Sequence, residues 1–262
     1  MLKNIYTPLA GALSQERALE TIANNLANVN TAGYKGDRVT FKLYESDPYP
    51  NYPDPLPPAN YKVDLSKLSP LVGNEMNYVN IAEISKDYSQ GPALTTHNKF
   101  DLMIEGQGFF EVQTKQGTRY QRAGDLTLSQ SGALVNKHGE PILGEQGVIH
   151  VHSQNFEVNR KGEVYQDGRL VDKIRLVNLG KPSEIEHVGG GKVFYRGPVD
   201  EVVPAEKATI AQGFLEGSNV NAMKNLTAMI VSHRSYEAYQ KAVSNYDKIM
   251  EKSSNTIGNI RA

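Results

Sequence analysis

His150 and His152, two residues apart in VIHVH, are the chain's nearest approach to a metal-binding pattern. On a strand they share a face, but a site needs a third ligand and none stands nearby, so surface or half-buried strand histidines are expected. His97, His138, His187 and His233 are scattered, and their spacing supports no nucleophile and base pair. GGGK, Gly189 to Lys192, lacks the four-residue spacer, the hydroxyl residue after lysine and the following helix of a phosphate loop. A flexible loop is the expectation. GQGFFE carries glycines at Gly106 and Gly108 but Glu111 where a dinucleotide fingerprint needs its third, and it leads into a strand; a β-turn fits better. Carboxylates are spread without a clear pair. No enzymatic activity, cofactor, metal or small-molecule substrate is expected.

The bulk numbers narrow the classes further. The 262 residues carry a formal net charge of −1, which leaves no basic footprint for nucleic acid. The absence of cysteine excludes disulfides and thiolate chemistry and is compatible with passage into an oxidising compartment. No run approaches the apolar length of a membrane helix, so no membrane insertion is expected. Lys3 before a mildly apolar stretch, with Ala10, Gly11 and Ala12 after it, resembles a signal peptide superficially. Asn4, Thr7 and Pro8 interrupt that stretch, and an uncleaved start is expected.

What remains unusual is NNLANVNTAGYK, residues 24 to 35. Asn24, Asn25, Asn28 and Asn30 crowd the end of an apolar-periodic segment, although asparagine is mediocre inside helices. Capping accounts for Asn30. Asn24, Asn25 and Asn28 fall on the face opposite the apolar seam, and neutral amides there could meet other chains. The seam runs through positions 2, 5, 9, 12, 16, 19, 23 and 26 with only Glu16 polar, and places Leu9, Leu19 and Leu26 on one line; Ile22 and Val29 widen it. Thr7 and Pro8 read as a helix start and Gly33 as a left-handed stop.

A second NVN, Asn219 to Asn221, opens another periodic segment. Met229, Tyr236, Tyr239, Val243, Tyr246 and Met250 cluster on one face, with Leu226 near its edge. Ser218 or Asn219 is the natural N-cap. The two segments read as paired terminal helices.

From about 78 to 215, short runs such as FDLMI, GFFEVQT, GVIHV and KVFYR alternate with turn signals, which marks an antiparallel all-β body. QDG at 166 to 168 is a tight hairpin candidate. PYPNYPDPLPP, residues 48 to 58, excludes helix and interior strand and reads as a stiff polyproline-like spacer, with a PxxP docking motif as the other reading.

The motifs taken in order resemble the bacterial flagellar basal-body rod proteins, axial proteins of the flagellum. ANNLANVNTAGYK (Ala23 to Lys35) is similar to the family's N-terminal signature, including Asn30, Gly33, Tyr34 and Lys35. TTHNKFDLMIEGQGFFEV, with Gly106, Gly108, Phe109 and Phe110, and RYQRAGDLTLSQSGALVNKHGEPILG resemble its middle segment. QGFLEGSNVN, ending in Ser218, Asn219, Val220 and Asn221, resembles its C-terminal one. The resemblance spans nearly the whole chain. The length favours a rod subunit over the longer hook proteins, and Gly217 with GEQGVIHV looks more like the proximal rod type, the distal type being the alternative. The proline-rich spacer departs from both.

The resemblance implies an α+β fold: long N- and C-terminal helices paired as a coiled coil, plus a central antiparallel all-β domain. Expected bounds are 1–36 for the first helix, 37–77 for an extended linker, 78–215 for the β domain and 216–262 for the second helix. It also implies copies of itself and other rod proteins as partners. Export would proceed unfolded through the flagellar type III apparatus, and assembly would form a shaft across the periplasm. A monomeric surface or periplasmic binding protein is the competing class; Tyr49, Tyr52, Phe109 and Phe110 are its only obvious aromatic cluster.

Overall fold

A computed structural model describes residues 5–44, 78–152 and 156–258. The proline-rich segment 48–58, with Tyr49 and Tyr52, lies outside the described residues. Helix α1 runs from Tyr6–Ala27 and α2 from Ala222–Gly258. Pro8 sits in the first turn of α1, where its missing N–H removes no helical bond. The end of α1 tightens as the Asn28 N–H divides between the carbonyls of Asn24 (3.3 Å) and Asn25 (3.2 Å). Gly33 then takes φ +68, a left-handed conformation that favours glycine. At the start of α2 the cap is Asn221, not Ser218 or Asn219: its Oδ1 accepts the Lys224 N–H at 2.9 Å.

One unit comprises 1–23, 39–84 and 226–262. Its α1 buries a stripe of small residues, Gly11, Ala12, Ser14 and Ala18, with Pro8. A methyl added at Gly11 would sit 2.6 Å from the Tyr239 ring, so α2 meets α1 where α1 has no side chain. Ser14 Oγ bonds its own helix at Ala10 O (2.8 Å) and also Val79 O (3.1 Å). The buried face is therefore not the one the leucine spacing marks. Leu9 is 42% and Leu13 52% exposed, beside an exposed Tyr6. At Gly11 the Tyr239 ring takes the space a side chain would fill.

The other unit, 24–38 with 85–225, holds most of the β structure. The strands of the chain are β1 Asp37–Tyr44, β2 Tyr78–Lys86, β3 Ala93–Thr95, β4 Leu102–Glu105, β5 Phe109–Thr114 and β6 Gly117–Gln121. They continue with β7 Leu126–Leu128, β8 Leu134–Asn136, β9 Phe156–Val158, β10 Glu163–Gln166, β11 Arg169–Lys173 and β12 Leu176–Asn178. The last are β13 Ile185–Gly189, β14 Lys192–Tyr195, β15 Val203–Pro204, β16 Thr209–Gln212 and β17 Phe214–Glu216. Strand β1 pairs with β2, so the expected linker begins as a strand for its first eight residues.

A six-stranded sheet runs β13-β14-β6-β5-β12-β15 and a three-stranded one β11-β10-β9. Two long-range pairs close the unit, β16 on β4 and β17 on β3, both antiparallel. Leu102, Ile104, Phe110, Val112, Leu134, Ile142, Ile149, Val164 and Ile210 form the core. The alternation of buried and exposed residues in β5 follows from its pleat. Asp167 (φ 50) and Gly168 (φ 77) make the expected tight turn between β10 and β11.

Candidate functional site

The chemistry-bearing residues of the β unit converge on Glu216, the last residue of β17, whose side chain is 1% exposed. Lys35 Nζ donates to Glu216 Oε1 at 2.7 Å and to Ser89 O at 2.7 Å. Arg122 Nε donates to Glu216 Oε2 at 2.5 Å, and the Gly91 N–H completes the shell on Oε1 at 2.9 Å. Arg122 also threads its guanidinium into the GQG turn. Its NH1 donates to Gly108 O (2.5 Å) and its NH2 to Ile104 O (2.9 Å) and Gly106 O (2.7 Å). The planar fork suits several fixed acceptors at once. Gly106 and Gly108, with positive φ, shape this turn.

One carboxylate thus serves two buried cations. Burial alone would raise the Glu216 carboxyl; the Arg122 charge and the hydrogen bonds from Lys35, Arg122 and Gly91 outweigh it and hold the group below its ordinary value. Lys35 is lowered, because burial outweighs what Glu216 returns to it, and Arg122 adds repulsion.

Amides frame this centre. Asn25, 5% exposed, accepts the Asp37 N–H on Oδ1 (2.8 Å) and the Tyr34 hydroxyl on the same atom (3.2 Å), and its Nδ2 donates to Asp37 O (2.8 Å). Burial pushes the Tyr34 hydroxyl up to about 12, with Asp37 adding to it. Asn219 accepts the Gly36 N–H (2.8 Å) and donates to Asp87 O (2.7 Å). The Gly33 N–H donates to Glu216 O (2.7 Å), and a methyl at Gly33 would lie 2.6 Å from the Ala123 nitrogen. Ser218 Oγ accepts the Val220 N–H (3.2 Å). The two NVN signatures are joined through one intramolecular clasp.

Of the expected outward amide face, Asn25 is turned inward and fully occupied. Asn24 stays exposed, and Asn28 bonds it at Asn24 Oδ1 (3.1 Å). Asn30 is exposed. Of the expected helix interface, Leu19, Ile22, Leu26, Val29, Met229, Tyr236, Tyr239 and Val243 are half-buried. Leu9, Leu226 (41%), Tyr246 (39%) and Met250 (37%) are exposed. Glu216 and Arg122 were missed as site residues. Both stand inside the quoted motifs, but a lone charge there carries no spacing signal that sets it apart from a surface residue.

His150 and His152 are exposed while Ile149 and Val151 between and beside them are buried, and no metal-holding group of three occurs among the described residues. Gly189 to Gly191 form the β13 to β14 turn. A groove of about 690 Å³ is lined by Glu111, Tyr120, Arg160, Lys173 and Arg175 among others, with Arg175 already on Glu111 (3.2 Å) and Lys173 on Glu145 (2.7 Å). Phe110 lies in the core and Phe109 packs edge-on to Tyr88 at 6.1 Å. Among the described residues no helix is long and apolar enough to cross a membrane.

Three family models match. They are a flagella basal body rod protein model over residues 5–35, a flagellar hook protein FlgE/F/G D1 domain over 103–166, and a flagellar basal body rod FlgEFG protein C-terminal model over 211–256. The first and last contain the two halves of the clasp. The chain is 29% identical over 98% of its length to the flagellar basal-body rod protein FlgF of Caulobacter vibrioides, covering 98% of that protein. It is 28% identical to FlgG of Bacillus subtilis, over 96% of this chain and 97% of that one. With FlgG of Buchnera aphidicola subsp. Schizaphis graminum it shares 30% identity over 97% of this chain and 99% of the relative. From the clasp that unites its signatures to this full-length likeness, the chain belongs to the flagellar basal-body rod protein family.

Proposed function

We propose that the chain is a structural subunit of the flagellar basal-body rod, polymerising through its two terminal helices, with copies of itself and other rod proteins as neighbours. The observation that carries this is the outward face of the helices. Tyr6, Leu9 and Leu13 repeat at intervals of three and four on α1, and Met223, Leu226 and Ile230 do the same on α2, all exposed. Such stripes stay unburied in a lone chain and gain by covering one another. The two differ, so their union is heterologous, the kind of contact that propagates into an open filament.

Within the subunit, α1 and α2 pair as a coiled coil, supported by the Tyr239 ring against Gly11. Tyr246, Met250, Asn24 and Asn28 then serve contacts between subunits, and the helical ends complete their order on assembly. The subunit occupies the periplasm-spanning shaft that carries torque from motor to hook, reached by type III export without a cleaved signal. Gly217 and the GEQGVIHV segment support the proximal position in the rod.

The test is to place aspartate at Leu9 and Leu13 together and follow assembly of purified protein, alone and with axial partners, by electron microscopy. Rods or rings are expected from the parent and none from the variant, with the β unit still folded by circular dichroism. Normal incorporation of the variant into basal bodies would overturn the role of the α1 stripe. A parent that stays dispersed with every partner would overturn the reading as a whole.

A further inference from the structure

The clasp sets an order in which the β unit can close. Lys35 and Arg122 are 7% and 6% exposed at their side chains, and the two oxygens of Glu216 hold one each. Remove that carboxylate and a buried ammonium and a buried guanidinium are left without their shared anion, where an unpaired charge is costly and like charges add repulsion. Lys35 lies early in the chain and Glu216 late, 181 positions on. Glu216 is placed by β17, whose register on β3 sets Glu216 opposite Ala93, and β17 follows β16 on β4.

We propose that Glu216 is a latch: the N-terminal signature 24–37 docks on the unit only after β17 has delivered this carboxylate between Lys35 and Arg122. The unit therefore closes from its C-terminal end, and the signature stays undocked while the segment from β17 onward is missing. This holds whatever the chain assembles into. A polypeptide arriving N-terminus first keeps its leading segment free until its tail follows.

Pulse-labelled hydrogen exchange during refolding of the full-length chain tests the order. The docking reporter is the Asp87 N–H, bonded to Gly36 O at 2.9 Å, a contact between the signature and the rest of the unit that uses no residue of 209–221. The Gly217 N–H, bonded to Pro92 O at 2.8 Å, reports the arrival of β17. Asp87 is expected to gain protection together with Gly217 or after it, and protection of Asp87 before Gly217 overturns the latch. In the folded Glu216→Gln variant, exchange at Asp87 is expected to rise on the order of tenfold or more while Leu134 and Val151 in the core keep theirs. No change, or an equal rise in the core, overturns it as well.

Discussion

The Lys35 ammonium and the Glu216 carboxylate lie 2.7 Å apart with 181 positions of chain between them, and Arg122 takes the carboxylate's other oxygen. Removing the anion strands two cations, whereas removing Lys35 leaves Glu216 still paired. Glu216→Gln is expected to cost about 3 kcal/mol of unfolding free energy, and Lys35→Met distinctly less, in urea denaturation followed by circular dichroism. A larger loss for Lys35→Met would contradict this division of roles.

Acid acts on the same carboxylate. Its folded value lies below the ordinary 4.5, so the unfolded chain takes up the proton first. The stability Glu216 contributes is present in full above about pH 4.5 and disappears as pH falls through the lower folded value. Between those values the parent is expected to lose stability more steeply than Glu216→Gln, and the two curves should approach each other at the acid end. Parallel curves across that window would exclude Glu216 as the titrating group.

Asn24 and Asn25 are neighbours with opposite duties. Asn25 satisfies both backbone groups of Asp37 from a buried position, so Asn25→Ala is expected to cost about 2 kcal/mol, the scale of stranded buried partners. Asn24→Ala should leave the unfolding free energy within about 0.5 kcal/mol, as an exposed substitution does. If Asn24 serves contacts between subunits, that variant assembles poorly while melting normally, which light scattering reads directly.

Gly11 leaves room for the Tyr239 ring. Gly11→Leu fills that space and is expected to displace the ring, loosening the helical unit and slowing assembly. Tyr239→Ala in the same chain should restore part of both. Independent, additive effects of the two substitutions in thermal melts would mean that the residues do not share a contact.

The order of elements was legible because long periodic runs and turn glycines report backbone state locally. The Asp167 and Gly168 turn and the left-handed Gly33 are clear examples. The inward face of α1 was not legible. Leucine spacing marks an apolar side, but whether that side turns inward depends on the partner, and the Tyr239 ring packs on the side of Gly11. The clasp was half legible: its asparagines stand out by crowding, while Glu216 and Arg122 acquire their roles only when strands distant in sequence bring them together. Lys86 on Asp37 at 2.8 Å is hidden in the same way.

The register of β17 on β3 has a mechanical consequence. The ladder ends at Ala93 opposite Glu216, so the chain enters and leaves this strand pair at one end. Tension drawing those two exits apart would peel the ribbon bond by bond rather than slide it, the weaker of the two ways to pull strands asunder. Glu216 sits one residue inside the outermost bond, Gly217 N–H to Pro92 O, where tearing would begin, and its two cationic anchors rivet the seam just behind it.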